Sequence, residues 1–321
     1  MSAVFPPSRT PGEFELVRRD DERLRPGVRA VCEILGLGGS AIGRFPEGSL
    51  PVYAVGDSLV LKIYPPFDLT ERDSESAVLR ALEKRLPIPT PVVHAVGELD
   101  GWGYVLIDRL RGESLAHAWP RIAADERMRL ASSLGEALAV LHSVNGPDLE
   151  TVRIDWPLFI AEQSRTAVER QRQRGLDEHW LTQIPAFLDA TPLEDSGSVS
   201  LLHTEVMREH LLVEHGPAGW SLSGIFDFEP AVVGAPEYEF ASVGLFFSCG
   251  DARLLRGVLL AYGYRETKLN RELERRLLAY ALLHRYSNLP WYLGRMPPGP
   301  GASSLRALAA QWFGVKTNSA V

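Results

Sequence analysis

The stretch that decides the fold is SLLHTEVMREHLLVEHGPAGWSLSGIFDFE, residues 200–229. One apolar run in it ends close to Glu205, and His210 precedes a second apolar run. After a glycine-containing turn, a third apolar segment flanks one acid, Asp227. Because a carboxylate without a partner is costly to bury, we expect Asp227 to face a cation or several hydrogen-bond donors.

The hairpin predicted for this stretch brings three polar side chains together, because its arms carry Glu205, His210 and Asp227. Oxygen ligands combined with one imidazole suit a hard divalent cation that also binds phosphate oxygens. A structural zinc site is disfavoured, since the spacing is not HExxH and no cysteine is nearby. His203 is predicted to be a packed, hydrogen-bonded residue that shapes this loop.

Upstream of this stretch, five short β-type segments accompany one helix. The predicted strands are residues 41–45, 51–56, 58–64, 89–99 and 101–110, and the predicted helix is 70–85. Thr70, with Asp73 three residues later, has the pattern of a capping box and predicts the helix start. These segments predict a small antiparallel sheet with one helix inserted after its third strand.

The hydrophobic period becomes helical beyond residue 111, so we place a domain boundary there. The helical patterns are 124–144, 156–175, 179–190, 254–262, 271–286 and 303–313. Residues 1–25 are rich in proline and then in charge, which predicts a loosely held lead-in. The fold class is therefore α+β, with a lead-in (1–25), a sheet-containing lobe (26–110) and a mostly helical lobe (111–321).

Composition excludes several classes of protein. The 321 residues are 45% hydrophobic and 23% charged, values typical of a globular chain. A net charge of −7, from 41 acids and 34 bases, disfavours non-specific nucleic-acid binding and leaves room for a cationic ligand. No signal peptide and no apolar run long enough to cross a membrane are predicted. Cys32 and Cys249 are predicted to be reduced thiols, and we expect a cytoplasmic protein without a membrane or nucleic-acid partner.

Lys62 lies in the middle of the third predicted strand. A lone lysine in a strand is more often on a solvated face of the sheet. The strand of Lys62 is followed by a capped helix, however, and this position favours a functional role for the lysine. Glu75, one turn into that helix, can reach a lysine on a neighbouring strand. Glu71 is the rival partner, because it faces the same side of the helix.

Three segments of the chain resemble the aminoglycoside phosphotransferase family of protein-kinase-like small-molecule kinases. They are HTEVMREH (203–210), GIFDFE (224–229) and GAPEYEFA (234–241). These match the family's His-Gly-Asp with a downstream Asn, its Ile-Asp-Phe, and its Gly-Asp-Pro with a downstream Asp. The sequence is most similar to hygromycin B kinases, through EGSLPVYAV (47–55), LLHRYSN (282–288) and LAAQWFG (308–314).

The resemblance implies a bilobal protein-kinase-like fold and a role for each matched residue. Glu205 takes the catalytic-base position, which is Asp in the family. Asp227 takes the metal-binding Asp position, and His210 replaces a metal-binding Asn, as it does in macrolide kinases. Glu239 replaces the downstream Asp, which is mostly structural.

In the first lobe, the resemblance implies that Lys62 binds the α- and β-phosphates and that Glu75 holds Lys62. It favours Gly48 and Ser49 as the phosphate-covering turn over the more glycine-rich 36–40. Backbone groups near Ile107, Asp108 and Arg109 are expected to contact the adenine. The helices around 114–190 and 250–320 are expected to determine the acceptor, but the sequence shows no code for it there. Tyr286, Trp291 and Tyr292, in the late helices, are either core residues or the wall of a binding site.

The implied activity is transfer of the γ-phosphoryl group of ATP or GTP to a hydroxyl of a small polar or cationic acceptor. Mg²⁺ is the implied metal, with Mn²⁺ as an alternative. The expected acceptor is aminoglycoside- or aminocyclitol-like, of the hygromycin B type. Two alternatives stay open: a nucleotide-binding pseudokinase, suggested by the altered Glu205 and Glu239, and a kinase for a choline-, homoserine- or thioribose-like metabolite.

Overall fold

The computed structural model describes residues 3–193 and 199–315, which form two compact units. The predicted domain ends at Met1 and Val321 lie outside the described residues. The first unit comprises the described residues up to Arg111, together with Gly146–Val152 and Gly224–Ala231. The second comprises the described parts of Gly112–Asn145, Arg153–Ser223 and the chain from Val232 onward.

The core of the first unit is a five-stranded antiparallel sheet. Its strands are β1 (Ile42–Arg44), β2 (Val52–Val55), β3 (Leu59–Tyr64), β4 (Val93–Leu99) and β5 (Trp102–Asp108). They lie in the order β1-β2-β3-β5-β4, so β3 is central and has a strand on both sides. The predicted antiparallel sheet is thus confirmed; each strand is shorter than the sequence pattern indicates, although β3 and β4 end at the predicted residues 64 and 99.

The inserted helix, α3 (Leu69–Leu82), starts earlier than predicted. Its N-cap is Asp68, so the capping box assigned to Thr70 is wrong. The N–H of Asp68 donates to the Pro65 carbonyl over 3.0 Å, and this turn starts the helix before Thr70 is reached. The helix also ends before the predicted residue 85, because Lys84 has a left-handed backbone with φ +56°.

Residues 3–25 are not the loosely held lead-in that their composition predicts. They contain α1 (Pro11–Val17) and the start of α2 (Asp21–Ile34), each capped by a polar side chain. Phe5 and Phe14 are buried and lie 5.4 and 6.1 Å, ring to ring, from Trp102 of β5. Two aromatic side chains bury enough area to hold this segment on the sheet. The proline content of the segment gave no indication of these contacts.

The second unit is mostly helical. Its helices are α4 (Leu115–Ala118), α5 (Ala124–Ser143), α6 (Trp156–Gln173), α7 (Glu178–Leu181), α8 (Ile184–Asp189), α9 (Pro236–Ser242), α10 (Ala252–Tyr262), α11 (Arg271–Leu283), α12 (Leu289–Arg295) and α13 (Leu305–Trp312). The helix predicted at 179–190 is divided into α7 and α8 near Pro185, which lacks an N–H for helical bonding. Within residues 3–193 and 199–315, no helix is long and apolar enough to cross a bilayer.

Short strands in the second unit carry the loops that matter for the site. They are β6 (Glu113–Ser114), β7 (Ser200–Leu202), β8 (Leu211–Gly216), β9 (Gly219–Ile225) and β10 (Val232–Gly234). β7 pairs with β10, and β8 lies between β6 and β9. Since the second unit includes Ser223 and the first includes Gly224, the chain passes from one unit to the other within β9.

Candidate active site

Lys62 lies at the centre of the sheet in the first unit. It is opposite Val52 of β2 and Val105 of β5, and its residue is only 5% exposed. An ammonium group at such a position is stable only if anions or acceptors surround it. The solvated-face interpretation of this lysine is therefore wrong, because its side chain is buried.

Three carboxylates contact the ammonium group of Lys62. Nζ is 2.7 Å from Oδ1 of Asp227, 2.8 Å from Oε2 of Glu75 and 3.2 Å from Oε2 of Glu229. Glu75 is on α3 and also accepts a hydrogen bond from the hydroxyl of Tyr64. The contacts of Lys62 with Glu75 and Asp227 bring together three of the predicted site residues.

The electrostatics of this cluster follow from burial and opposed charges. Burial alone would lower the pKa of Lys62, but Asp227, Glu75 and Glu229 outweigh that effect and raise it well above its usual value. Burial raises the pKa of Glu229 to about 8, although Lys62 acts in the opposite direction. Lys62 is therefore a permanent cation, and the raised pKa of Glu229 means that burial opposes its ionisation.

The apolar neighbours of Asp227 suggested a position inside a strand, but Asp227 lies outside the strand. β9 ends at Ile225, and Asp227 follows it with φ +73°. Left-handed backbone is uncommon outside glycine and persists where the surroundings enforce it, as the contact with Lys62 does here. Sequence reasoning missed Glu229, two residues further on; its signal was the second acid in the DFE triplet.

Gly48 and Ser49 lie in the exposed turn between β1 and β2. Gly48 has φ +111°, a conformation that glycine adopts without strain. The hydroxyl of Ser49 donates to Oε1 of Glu229 over 3.3 Å, which links this turn to the Lys62 cluster. In the rival glycine-rich stretch, Gly38 and Ser40 line a separate cavity of about 330 Å³.

The segment predicted to bind the adenine ends β5. Ile107 is buried, and the N–H groups of Asp108 and Arg109 donate to the carbonyls of Val92 and Ser58 over 3.0 and 2.8 Å. Those two N–H groups are already used within the first unit. A base bound at this segment would therefore use other backbone groups, such as carbonyl oxygens.

Glu205 lies in the second unit, in a loop after β7 that is held at three successive residues. The N–H of His203 donates to Oε2 of Glu239 over 2.6 Å, and Nε2–H of His284 donates to the Thr204 carbonyl over 3.1 Å. The N–H of Glu205 donates to Nδ1 of His203 over 3.3 Å. Thr204 has φ +71°, which is rare for a β-branched residue, so these contacts fix a strained turn immediately before Glu205.

His210 is oriented by the same loop. Its Nδ1 is 3.0 Å from the carbonyl oxygen of Glu205, which can only accept, so Nδ1 carries the proton. Nε2 then has the lone pair, the arrangement that metal-binding imidazoles use. An imidazole nitrogen of this kind is a donor that a divalent cation accepts in proteins. Within the described ranges, no group of three or more His, Cys, Asp or Glu side chains is arranged to hold a metal by itself.

Two buried groups support the Glu205 loop. Glu239 on α9 is fully buried, and its Oε2 lies 3.7 Å from Nε2 of His142. Burial acts to raise the pKa of Glu239, but His142 and His203 outweigh burial, so the pKa is lowered. Burial lowers the pKa of His284 to about 4, so its imidazole is neutral at physiological pH. His203 is itself fully buried, which confirms its predicted packed character.

The late aromatic residues divide into core and surface. Tyr292 is buried, whereas Tyr286 and Trp291 are 44% and 45% exposed. Trp291 lies 5.9 Å, ring to ring, from Phe246. Of these three, Tyr292 is therefore a core residue, whereas Tyr286 and Trp291 present aromatic surface that a ligand could contact.

Comparison with protein families gives one match over most of the chain. A family model described as "Phosphotransferase enzyme family" matches residues 42–278. No curated protein matches the chain at a significant level.

Comparison with solved structures gives matches over most of both chains. The GDP complex of wild-type aminoglycoside 2'-phosphotransferase-IIIa has a TM-score of 0.68 and 19% identity, covering 85% of this chain and 96% of that chain. A macrolide 2'-phosphotransferase from Brachybacterium faecium has a TM-score of 0.59 and 19% identity, covering 92% and 99%. The streptomycin–ATP ternary complex of APH(2")-IIa has a TM-score of 0.58 and 15% identity, covering 87% and 97%. At these identities the likeness establishes the protein-kinase-like α+β fold.

Proposed function

This chain belongs to the phosphotransferase enzyme family, and from that premise we propose that it transfers the γ-phosphoryl group of ATP or GTP to a hydroxyl of a small polar or cationic acceptor. One observation carries the proposal. Nζ of Lys62 lies 2.9 Å from Oε1 of Glu75 and 2.7 Å from Oδ1 of Asp227, which are 13 and 165 residues away in the chain. Protein kinases use the same three residue types: a strand lysine paired with a helix Glu binds the nucleotide phosphates, and the Asp of a DFG triplet binds Mg²⁺.

The nucleotide-binding roles follow from this cluster. Lys62 binds the α- and β-phosphates, and Glu75 holds the lysine side chain in place. The backbone N–H groups of Gly48 and Ser49 contact phosphate oxygens. The segment Ile107–Arg109 binds the base through its backbone. The similar solved structures determined with GDP, ADP or ATP support a nucleotide donor.

The remaining roles concern the metal and the acceptor. Asp227 and Nε2 of His210 would hold Mg²⁺ or Mn²⁺; when bound, the cation neutralises charge on the phosphate oxygens. Glu205 orients the acceptor hydroxyl and accepts its proton. The hydroxyl oxygen forms a bond to the γ-phosphorus as the bond from that phosphorus to the bridging oxygen breaks, and the nucleoside diphosphate leaves.

The acceptor is an aminoglycoside- or aminocyclitol-like molecule of the hygromycin B type. Similar solved structures include complexes with kanamycin, streptomycin and gentamicin, which supports this class. The net charge of −7 is compatible with a polycationic acceptor.

The test is phosphoryl transfer to a panel of hydroxylated acceptors, with ATP and with GTP, by the wild type and Glu205→Gln. We expect transfer to an aminocyclitol and a loss of kcat of roughly 10²-fold or more in Glu205→Gln, because the variant cannot accept the hydroxyl proton. Nucleotide affinity should stay unchanged. Glu209→Gln, which alters an exposed acid of the same loop, is the matched control and should keep full activity.

Each contrary result has a distinct meaning. Transfer to a macrolide or an amino alcohol, but not to aminocyclitols, would replace the acceptor class and keep the reaction. An inactive wild type that still binds nucleotide would favour the pseudokinase. Equal kcat in the wild type and Glu205→Gln would remove Glu205 from the role of base.

A further inference from the structure

Glu229 contacts two residues, Lys62 and Ser49, to which the proposed function gives a role in binding nucleotide phosphates. Its Oε2 lies 3.2 Å from Nζ of Lys62, and its Oε1 accepts a hydrogen bond from Ser49 over 3.3 Å. One carboxylate therefore joins the central strand β3 to the turn between β1 and β2. A phosphate group offers oxygen acceptors of the same kind to the same two partners.

The ammonium of Lys62 is saturated. It has three N–H donors, and three carboxylates, from Glu75, Asp227 and Glu229, lie within hydrogen-bond distance. A phosphate oxygen can bind Nζ only if one of these carboxylates moves away. The nucleotide must therefore displace a protein group before it reaches Lys62.

Glu229 is the carboxylate that the geometry marks for displacement. Its contact with Nζ is the longest of the three, at 3.2 Å against 2.8 and 2.7 Å. Glu75 is almost fully buried and is also held by the hydroxyl of Tyr64. Asp227 is more exposed than Glu229 but makes the shortest contact with Nζ. Glu229 is more exposed than Glu75, and its second partner is the hydroxyl of Ser49 in an exposed turn.

We propose that Glu229 occupies, in the nucleotide-free protein, the place beside Lys62 and Ser49 that a nucleotide phosphate takes, and thereby makes nucleotide binding depend on a divalent cation. This inference rests on the proposed function. A phosphate that replaces Glu229 leaves two anionic groups close together, and their repulsion lowers affinity unless a cation lies with the phosphate. Glu229 thus selects the metal complex of the nucleotide over the free nucleotide.

The experiment measures ADP binding by titration calorimetry at pH 8.5, with EDTA and with Mg²⁺, for the wild type, Glu229→Gln and Glu229→Ala. We expect both variants to bind metal-free ADP about tenfold more tightly than the wild type, so that Mg²⁺ adds less affinity. Glu98→Gln, which removes a half-exposed carboxylate from β4, is the matched control and should change neither affinity. Thermal unfolding identifies which of the two Glu229 variants are folded, and one folded variant is enough to test the inference.

Unchanged metal-free affinity in the folded variants would overturn the inference, and Glu229 would then be a structural brace for Ser49. A loss confined to the Mg²⁺-dependent affinity would overturn it too, because Glu229 would then act as a ligand of the cation. If the wild type binds no ADP with or without Mg²⁺, the proposed function itself fails, and that result differs from both of the others.

Discussion

At the scale of single residues, His284 links the chemistry of the Glu205 loop to the stability of the fold. Its neutral imidazole donates from Nε2 to the Thr204 carbonyl, and burial lowers its pKa from the ordinary 6.5 to about 4. The unfolded chain therefore takes up a proton at this position before the folded protein does. We expect the free energy of unfolding to fall by roughly 3 kcal/mol from this group as pH decreases from about 6.5 to about 4.

Urea unfolding at pH 7.5, 6 and 5 measures this contribution as the difference between the wild type and His284→Gln. The variant should be less stable at pH 7.5, where the wild type has its full contribution, and should lose less stability on acidification. His117→Gln, at an exposed position, should follow the wild type. Parallel pH profiles for the wild type and His284→Gln would contradict the prediction.

The residues of the site differ in how far sequence could predict them. Glu75 was predictable as a partner of Lys62, because helix periodicity limits which acids face the sheet. Glu229 was harder to predict: the second acid of the DFE triplet was its signal, but the left-handed backbone of Asp227 that precedes it has no local pattern. Of the two groups that support the Glu205 loop, the family resemblance implied a structural position for Glu239, whereas His284 was missed, because it lies 80 residues from Thr204 in the chain.

At the scale of secondary-structure elements, Gly112 controls the short strand β6. It has φ +107°, and a side chain there would place Cβ 2.8 Å from the Val213 carbonyl oxygen and against the hydroxyl of Ser223. We expect Gly112→Ala to lower the free energy of unfolding by about 1–3 kcal/mol, because it adds backbone strain and overpacking.

Chemical denaturation of Gly112→Ala and Gly216→Ala tests this expectation. Gly216 lies at the end of β8, where an added Cβ meets no atom within 4 Å, so its substitution should cost much less. Equal losses in the two variants would show that contacts at Gly112 are unimportant.

Sequence predicted well those elements whose own hydrophobic pattern indicates which of their residues are buried. The strands β2 and β3 follow this rule, since hydrophobic content and a Gly-Asp turn determine them locally. The limits of α3 and of the N-terminal helices do not, because a turn at Pro65 and the burial of Phe5 and Phe14 determine them. Contacts between residues that are far apart in the sequence cannot be predicted from hydrophobic periodicity or secondary-structure propensity.

At the scale of the whole molecule, the first unit is discontinuous in sequence. Its segment Gly224–Ala231 supplies both Asp227 and Glu229 to Lys62, and its segment Gly146–Val152 also comes from beyond Arg111. We expect a fragment ending at Arg111 not to unfold cooperatively, because it lacks both segments and leaves Lys62 with Glu75 alone. Circular dichroism in increasing urea measures this, and a sharp two-state transition of the fragment would contradict it.

The same discontinuity has a consequence for biosynthesis. A ribosome completes the five strands of the sheet by Arg111, but Ala231, the last residue of the first unit, is added 231 − 111 = 120 residues later. At translation rates of about 5–20 residues per second, roughly 6–24 s pass before the segment that carries Asp227 and Glu229 is complete. Until then Glu75 is the only one of the three acids that can contact Lys62. During that interval the emerging chain is a natural client for chaperones.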